Sequence, residues 1–244
     1  EIHKAFSTNQ NWPYPNWSAY AVYTPLTDSN FQTAVNLWFI DEANATITYG
    51  HISDWNVSAV TDMSEAFRDR TNFDQNITDW DVSNVTNMNH MFANTPFNQP
   101  IGNWVVSSVT NMDRMFKSAT LFNQPIEDWE VSLVTEMQEM FKYSSFDQPI
   151  GDWNVSSVTN MEGMFANSPF NQPVGDWDVS SVTKTDWMFS DATSFNHPIR
   201  DWNVSSVTNM TNMFNNASSL SNTNKGEIHK AFSTNQNWPY PNWS

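Results

Sequence analysis

Apolar residues recur in this chain at a fixed interval and keep their register from residue 52 to residue 220. Each period contains one tryptophan, and neighbouring tryptophans are 24 or 25 residues apart: Trp55, Trp80, Trp104, Trp129, Trp153, Trp177 and Trp202. A fixed period of this length is typical of proteins in which each coil buries its apolar face only against its neighbours. The pattern therefore predicts one continuous stack of about seven coils, and it disfavours a single catalytic pocket.

Further apolar columns accompany the tryptophan. One coil reads Trp153-Asn-Val-Ser-Ser-Val-Thr-Asn-Met-Glu-Gly-Met-Phe165, followed by Phe170-Asn-Gln-Pro-Val174. All 12 methionines of the chain fall in two of these columns. Because methionine fills irregular gaps between aromatic rings, we interpret the columns as one shared core and not as a metal or ligand site.

Polar residues keep the same register. Each coil has a serine between its two valines and a threonine after the second valine, and an Asn or Asp follows the second phenylalanine in most coils. Since Ser, Thr and Asn side chains form hydrogen bonds with nearby backbone groups, we expect these columns to pair the backbone N–H and C=O groups at the corners of the coils. Equivalent serines without a matching histidine column also disfavour a nucleophilic site.

The spacing within a coil predicts its local structure. The Ile-x-x-Trp-x-Val segment is expected to be extended and to lie in a parallel sheet. The Val-Thr-x-Met-x-x-Met-Phe segment fits a short helix behind a Ser or Thr cap, and it fits equally a short strand before a single helical turn. Both alternatives give an α/β solenoid, which we expect to be a single right-handed stack of coils.

An N-terminal helix is predicted ahead of the repeats. The run Thr27-Asp-Ser-Asn30 is typical of a helix cap, and the pattern after it predicts a capping helix over residues 29–41. One face of that helix is apolar and consists of Phe31, Ala34, Val35 and Trp38. A stack needs such a cap because its end coil would otherwise expose the core.

The motif Trp-x-Val-Ser-x-Val-Thr-x-Met-x-x-Met-Phe, with Phe-Asn-Gln-Pro-Ile after it, resembles a known surface-protein repeat of about 26 residues. That repeat occurs in bacterial lipoproteins, among them those of Mycoplasma and Listeria, and in many marine protists. It is a relative of the BspA-like leucine-rich repeats. The resemblance covers residues 50–220. It implies a leucine-rich-repeat-like solenoid, display outside the cell, a role in adhesion or cell-surface structure, and no enzymatic activity.

Charge narrows the range of partners. The chain has 26 acidic and 10 basic residues, which gives a formal net charge of −16. This balance disfavours nucleic acid and anionic membrane surfaces as partners.

The chain has no cysteine, which excludes disulfides and thiolate metal sites. No apolar stretch reaches the roughly 18 residues that a bilayer span needs, so we do not expect membrane insertion.

The two ends of the chain carry the same 18 residues, since residues 1–18 and 227–244 are identical. The offset of 226 residues predicts a parent chain in which this unit repeats in tandem, and a cloning artefact is the alternative. We accordingly divide the chain into four parts. They are an inter-unit junction segment (1–18), an N-terminal cap with its helix (19–50), the repeats (51–222) and the start of the next unit (223–244).

The duplicated segment is rich in aromatic residues and proline, and we expect it to cover the open end of the stack. The residues predicted to form the contact between units are Trp12, Tyr14, Trp17, Trp238, Tyr240, Trp243, Phe214 and Leu220. Repeated head-to-tail contact of this kind produces open fibres instead of closed rings.

Ten Asn-x-Ser/Thr sequons make the chain a candidate glycoprotein. They are at Asn16, Asn44, Asn56, Asn76, Asn84, Asn154, Asn203, Asn209, Asn216 and Asn242. Because Asn-Val-Ser is part of the repeat, Asn56, Asn154 and Asn203 are also explained by the motif alone.

Acidic residues flank the repeat tryptophan in several coils. The corners in question are Asp79-Trp-Asp81, Asp128-Trp-Glu130 and Asp176-Trp-Asp178. Oxygen ligands at this spacing suit Ca²⁺. Other coils have Asp-Trp-Asn or Asn-Trp-Val at the same place, which favours solvated turn carboxylates, so we expect no metal and no other cofactor.

The near-uniform repeats favour a structural function. We expect a building block of an extracellular filament or cell-surface fibre, joined head-to-tail in tandem, whose partners are neighbouring copies of the unit. The alternative is a cell-surface adhesion module that recognises a surface glycan or a matrix protein through the solenoid face. An enzyme is disfavoured because no unique cluster of polar residues is present in the sequence.

Overall fold

A computed structural model describes residues 23–243, which form a column of stacked coils with helices at both ends. Helix α1 spans Phe31–Ile40 and α2 spans Glu42–Tyr49, and a short 3-10 helix, Ile52–Asp54, leads into the first coil. Helix α3, Asn222–Phe232, follows the last coil. Helix α1 corresponds to the capping helix predicted over residues 29–41. Its buried face consists of Phe31, Ala34, Val35 and Trp38.

The expected α/β class, with a leucine-rich-repeat-like parallel sheet, is wrong. No strand forms within residues 23–243, and neighbouring coils share one isolated parallel bridge per interface. The bridges are Asp62–Asn87, Asn87–Asn111, Asn111–Glu136, Glu136–Asn160, Asn160–Lys184 and Lys184–Asn209. Each bridging residue directly follows the repeat threonine. The coils therefore stack on one another without forming a sheet.

The segment that was expected to be extended is a turn. The backbone N–H of Trp153 donates to the C=O of Ile150 at 3.2 Å, and that of Val158 donates to the C=O of Val155 at 2.9 Å. The same two bonds recur in the other coils. An N–H group that closes a turn within its own coil is not available for a ladder to the next coil, so a sheet cannot develop here.

The Met-x-x-Met-Phe segment bonds to the next coil through a backbone that is not extended. Two positions in each coil have positive φ, as in Gly163 (59°) and Asn167 (56°). The N–H groups of these two residues, and of Met161 and Phe165, donate to the next coil at 2.8–3.0 Å. The N–H groups between them close turns within the coil. Neither alternative predicted for this segment is therefore correct. No helix forms in it, and in place of a short strand there is only the isolated bridge to the neighbouring coil.

The apolar columns that were predicted to form the core are buried. The repeat tryptophans are 3–4% exposed, and the two methionine columns are no more than 1% exposed. Within a coil the two phenylalanines stack, as do Phe165 and Phe170 with ring centroids 3.9 Å apart. Between coils the rings follow one another at 5.9 Å from Phe141 to Phe165 and at 5.6 Å from Phe165 to Phe189. A continuous aromatic column therefore runs along the stack.

Polar ladders connect the coils at their corners, as predicted. The N–H of Thr159 donates to the C=O of Thr135 at 2.8 Å, and its hydroxyl donates to the same oxygen at 3.2 Å. The indole N–H of Trp153 donates to the C=O of Ile126 at 3.1 Å. In the Asn/Asp column, each side-chain oxygen accepts a bond from the backbone N–H of the same column one coil further on, at 2.8–3.0 Å.

We predict that Met164→Asp destabilises the chain by about 4 kcal/mol, because it places an unpaired carboxylate in the core. Met164 is fully buried. The control is Met164→Leu, which keeps the volume and should cost less than about 1.5 kcal/mol. Urea denaturation of the three proteins measures the difference. If Met164→Asp unfolds at the same urea concentration as the parent, the methionine columns are not core.

Candidate functional site: the ends of the stack and its variable face

The second copy of the duplicated segment closes the C-terminal end of the stack. Helix α3 begins behind Ser221, whose hydroxyl oxygen accepts a bond from the N–H of Asn224 at 3.1 Å. It buries Ile228 and Phe232 in the common core. Trp238 then packs edge-on against Phe232, with ring centroids 5.4 Å apart.

The three aromatic residues predicted to cover the end of the stack gather around Phe214. The ring centroids of Trp238, Tyr240 and Trp243 lie 6.5, 6.2 and 5.5 Å from the ring centroid of Phe214. Leu220, the other residue of the predicted contact, is buried in the same core. The corresponding residues of the first copy, Trp12, Tyr14 and Trp17, lie outside the described residues. The contact between units itself stays a prediction.

Tyr240 replaces a hydrogen-bond acceptor that another coil would supply. In each earlier coil the equivalent phenylalanine N–H donates to a methionine C=O of the next coil, as Phe189 does to Met213 at 2.8 Å. The N–H of Phe214 donates instead to the Tyr240 hydroxyl at 2.9 Å. Burial raises the pKa of Tyr240, and the bond from Phe214 opposes that rise only in part. The hydroxyl is therefore protonated at neutral pH.

The polar ladders also continue past the last coil, at the start of helix α3. The amide nitrogen of Asn224 donates to the C=O of Asn196 at 3.0 Å and to its side-chain oxygen at 2.9 Å. Gln172 makes the same pair of bonds to Asp147 within the stack. Helix α3 and the residues after it thus continue both the core and the ladders, and together they behave as a partial coil.

A carboxylate closes the N-terminal end. One oxygen of Asp28 accepts bonds from the N–H groups of Thr61 at 2.7 Å and Asp62 at 3.1 Å, and the other accepts the Thr61 hydroxyl at 2.7 Å. In later coils the threonine at this position donates from its N–H and its hydroxyl to the C=O of the equivalent threonine in the preceding coil, as Thr86 does to Thr61. The bond from the Thr61 hydroxyl, followed by that from its N–H, lowers the pKa of Asp28. Asp28 therefore takes the place of a preceding coil.

The side chains on one face of the stack differ from coil to coil, although the backbone conformation there is the same in every coil. The first left-handed position of the seven coils holds Glu65, His90, Arg114, Glu139, Gly163, Trp187 and Asn212. The second holds Asp69, Asn94, Ser118, Tyr143, Asn167, Asp191 and Asn216. We refer to the surface formed by these two columns as the variable face. Since the inter-coil bonds fix its backbone, the side chains on it are free to differ.

Glu139 forms an ionic link between two coils on this face. It is 8% exposed, and its carboxylate contacts Arg114 at 2.8 Å and both Lys117 and Lys142 at 2.6 Å. Burial raises the pKa of Glu139, but hydrogen bonds from Lys117, Lys142 and Arg114 outweigh burial and lower the pKa to about 2. The carboxylate thus joins cations of the third coil, Arg114 and Lys117, to a cation of its own coil, Lys142.

Sequence reasoning missed the variable face because it compared the positions that are the same in every coil. The signal was nevertheless present. The residue before the second methionine differs in type between nearly all coils. The two methionine columns around it have one exception each, Thr185 in the first and Ala66 in the second. A column that varies inside an otherwise uniform repeat is a candidate recognition surface.

Nine of the ten predicted sequons lie in the described part of the chain, and Asn16 lies outside it. Eight are exposed, and Asn209 is half-buried because it forms a bridge. Two of the exposed asparagines already use the amide nitrogen to which a glycan would attach. Asn84 donates from it to the C=O of Ser58, and Asn216 donates to the carboxylate of Asp191, both at 2.9 Å. The other exposed sequons are the more accessible candidates: Asn44, Asn56, Asn76, Asn154, Asn203 and Asn242.

The second residue of each acidic corner has a structural task. Asp81 accepts bonds from the N–H and hydroxyl of Ser83 at 3.1 and 2.6 Å, and Asn154 makes the same pair of bonds with Ser156. The hydroxyl bond, followed by the backbone bond, lowers the pKa of Asp81. Within residues 23–243, no three His, Cys, Asp or Glu side chains gather as metal ligands would. In the same range no helix has the length and apolar character of a membrane span.

We predict that Glu139→Gln destabilises the chain by about 2 kcal/mol at pH 7, because three cations lose their anion. The carboxylate has a folded-state pKa of about 2, below its ordinary value of 4.5. Its contribution is therefore complete above pH 4.5 and is lost as the pH falls through about 2. Denaturation from pH 2 to pH 7 measures this. Glu65→Gln is the matched control, since Glu65 occupies the same column with an exposed side chain; a pH profile identical to that of the control contradicts the prediction.

We predict that Tyr240→Phe costs about 1–2 kcal/mol, because the N–H of the buried Phe214 loses the acceptor to which it donates at the end of the stack. Tyr143→Phe removes an exposed hydroxyl and should have little effect. Urea denaturation compares the two variants with the parent. Equal midpoints for all three would show that the Tyr240 hydroxyl does not take the place of the missing coil.

Comparison with known proteins identifies a family. The family model described as "Mycoplasma protein of unknown function, DUF285" matches residues 33–145 and residues 126–228. The two matches overlap, and together they run from α1 through all the coils into α3. No curated protein and no solved structure gives a significant match. Because the matched residues make up most of its length, this chain belongs to the DUF285 family, which is a Mycoplasma-type repeat family.

Proposed function

We propose that this chain is a structural repeat unit of an extracellular filament or cell-surface fibre, with units joined head-to-tail in tandem. The observation that carries the proposal is the packing of the second copy of the duplicated segment on the end of the stack around Phe214. Since residues 1–18 and 227–244 are identical, the segment that closes one unit is also the segment that opens the next.

The contacts of this segment favour a stiff junction between units. Asn235 donates from its amide nitrogen to the C=O groups of Val204 at 2.7 Å and Val207 at 2.9 Å. Arg200 contacts Glu227 at 2.9 Å, although both side chains are partly exposed and this pair adds little. A helix, an aromatic cluster and ladder bonds together fix the orientation of the segment, which a flexible linker would not do.

The surface supports a location outside the cell. The net charge of −16 keeps neighbouring fibres apart, and the exposed sequons offer attachment points for glycans. The sequence resemblance to surface-protein repeats supports the same location. The proposal assigns neighbouring units as the partners, and it assigns no catalytic activity.

Deletion of residues 227–244 tests the proposal. The truncated chain has an open end at Phe214, and it still carries the identical first copy. We expect it to associate head-to-tail into open oligomers, because the first copy of one molecule offers the same side chains to the open end of the next. The full chain, whose end is closed by its own second copy, should stay monomeric. Sedimentation velocity and negative-stain electron microscopy measure the difference.

A synthetic peptide with the sequence of residues 227–244 provides the control. In excess it should occupy the open end, dissolve the oligomers and raise the stability of the truncated chain. The same peptide with Tyr240→Ala and Trp243→Ala should do neither. A truncated chain that stays monomeric and does not bind the parent peptide would contradict the proposal.

A further inference from the structure

A groove crosses the variable face at the fifth coil. This coil has the smallest side chains of the face, with Gly163 at the first left-handed position and Ala166 beside it. The fourth coil has Glu139 and Lys142 at these positions, and the sixth coil has Trp187. A layer of small side chains between two layers of larger ones leaves a gap. The gap has a volume of about 410 Å³.

Two exposed aromatic rings line this groove. Tyr143 is 48% exposed and Trp187 is 42% exposed. Elsewhere in the coils the tryptophan and phenylalanine columns are almost completely buried, so an exposed tryptophan has no packing purpose here. The N–H of Trp187 donates to the C=O of Thr211 at 3.0 Å, which holds its backbone in the inter-coil ladder. The backbone that carries the ring is therefore held in place.

Polar groups complete the lining. They include the carboxylates of Glu162 and Asp191 and the amide of Asn167. Burial, followed by the nearby charge of Asp186, raises the pKa of Glu162. The groove therefore has hydrogen-bond acceptors that donor groups of a ligand would satisfy.

The groove is lined by side chains of both charges. On the side of the fourth coil, Lys142 lines it together with Glu139, the carboxylate that Lys142 contacts at 2.6 Å. On the other side the carboxylates of Glu162 and Asp191 line it. A charged ligand of either sign would therefore meet a like charge in the groove. This lining favours a ligand that is polar and uncharged.

We propose that this groove binds a neutral saccharide, whose ring packs against Trp187 and Tyr143 and whose hydroxyls donate to Glu162 and Asn167. Sugar rings have apolar C–H faces that pack on aromatic rings, and their hydroxyls pair with carboxylates and amides. A volume of about 410 Å³ is in the range of small-molecule sites. The groove is separate from the end of the stack, so this proposal does not depend on the proposed function.

Column-matched variants test the groove without disturbing the fold. Trp187→Asn introduces the residue that the seventh coil has at this position, Asn212, and Tyr143→Asn introduces the residue that the fifth coil has, Asn167. Asn also tolerates the left-handed backbone of these sites. The control is Leu133→Asn, which removes an exposed apolar side chain elsewhere and matches Asn84 of the second coil.

The probe is an array of neutral oligosaccharides of glucose, galactose, mannose and N-acetylglucosamine, followed by calorimetry with the best binder. A trimethyllysine peptide is the cationic probe, since aromatic rings also bind such groups. We expect the parent to bind a neutral oligosaccharide, Trp187→Asn and Tyr143→Asn each to weaken binding about tenfold or more, and Leu133→Asn to change it less than about twofold. The proposal is overturned if no neutral oligosaccharide binds, if the groove variants bind as the parent does, or if only the trimethyllysine peptide binds.

Discussion

The hydrogen bonds between successive coils are the interaction on which the rest of this structure depends. They exist because two residues per coil have a left-handed backbone, which turns alternate N–H groups toward the next coil. A non-glycine residue in this conformation costs about 1–2 kcal/mol. The cost is tolerated only because neighbouring coils hold the backbone from both sides. A coil without neighbours would lose these bonds, so the stack is stable only as a whole and its ends must be closed.

The closed ends follow from this requirement. Asp28 supplies oxygen atoms at one end, and Tyr240 supplies a hydroxyl at the other. Neither residue belongs to the repeat, yet each makes the bonds that a repeat would make. The aromatic cluster around Phe214 does the same for the core. At both ends of the stack, residues outside the repeat thus make the contacts that a further coil would make.

The buried columns could be predicted from the sequence because burial requires an apolar residue at the same place in every coil. The ladders could be predicted because corner groups need Thr, Asn or Asp. The sheet was a wrong prediction because Ile-x-x-Trp has the same spacing in an extended segment and in a turn. The first left-handed column could not be predicted, since residues such as Arg114 and Trp187 are not typical of that backbone. The groove could not be predicted because it depends on the relative sizes of side chains in three adjacent coils. Those side chains become neighbours only when the coils are stacked.

The direction of the inter-coil bonds has a mechanical consequence. They run along the axis of the stack, so a pull on its two ends loads the interfaces in series, and every interface carries the full tension. The weakest interface then opens first, and it releases one coil of 24 or 25 residues before the next is loaded. A released coil can lengthen to roughly 80 Å. Such a stack would yield in small steps under tension and would absorb work at each step, instead of breaking at once.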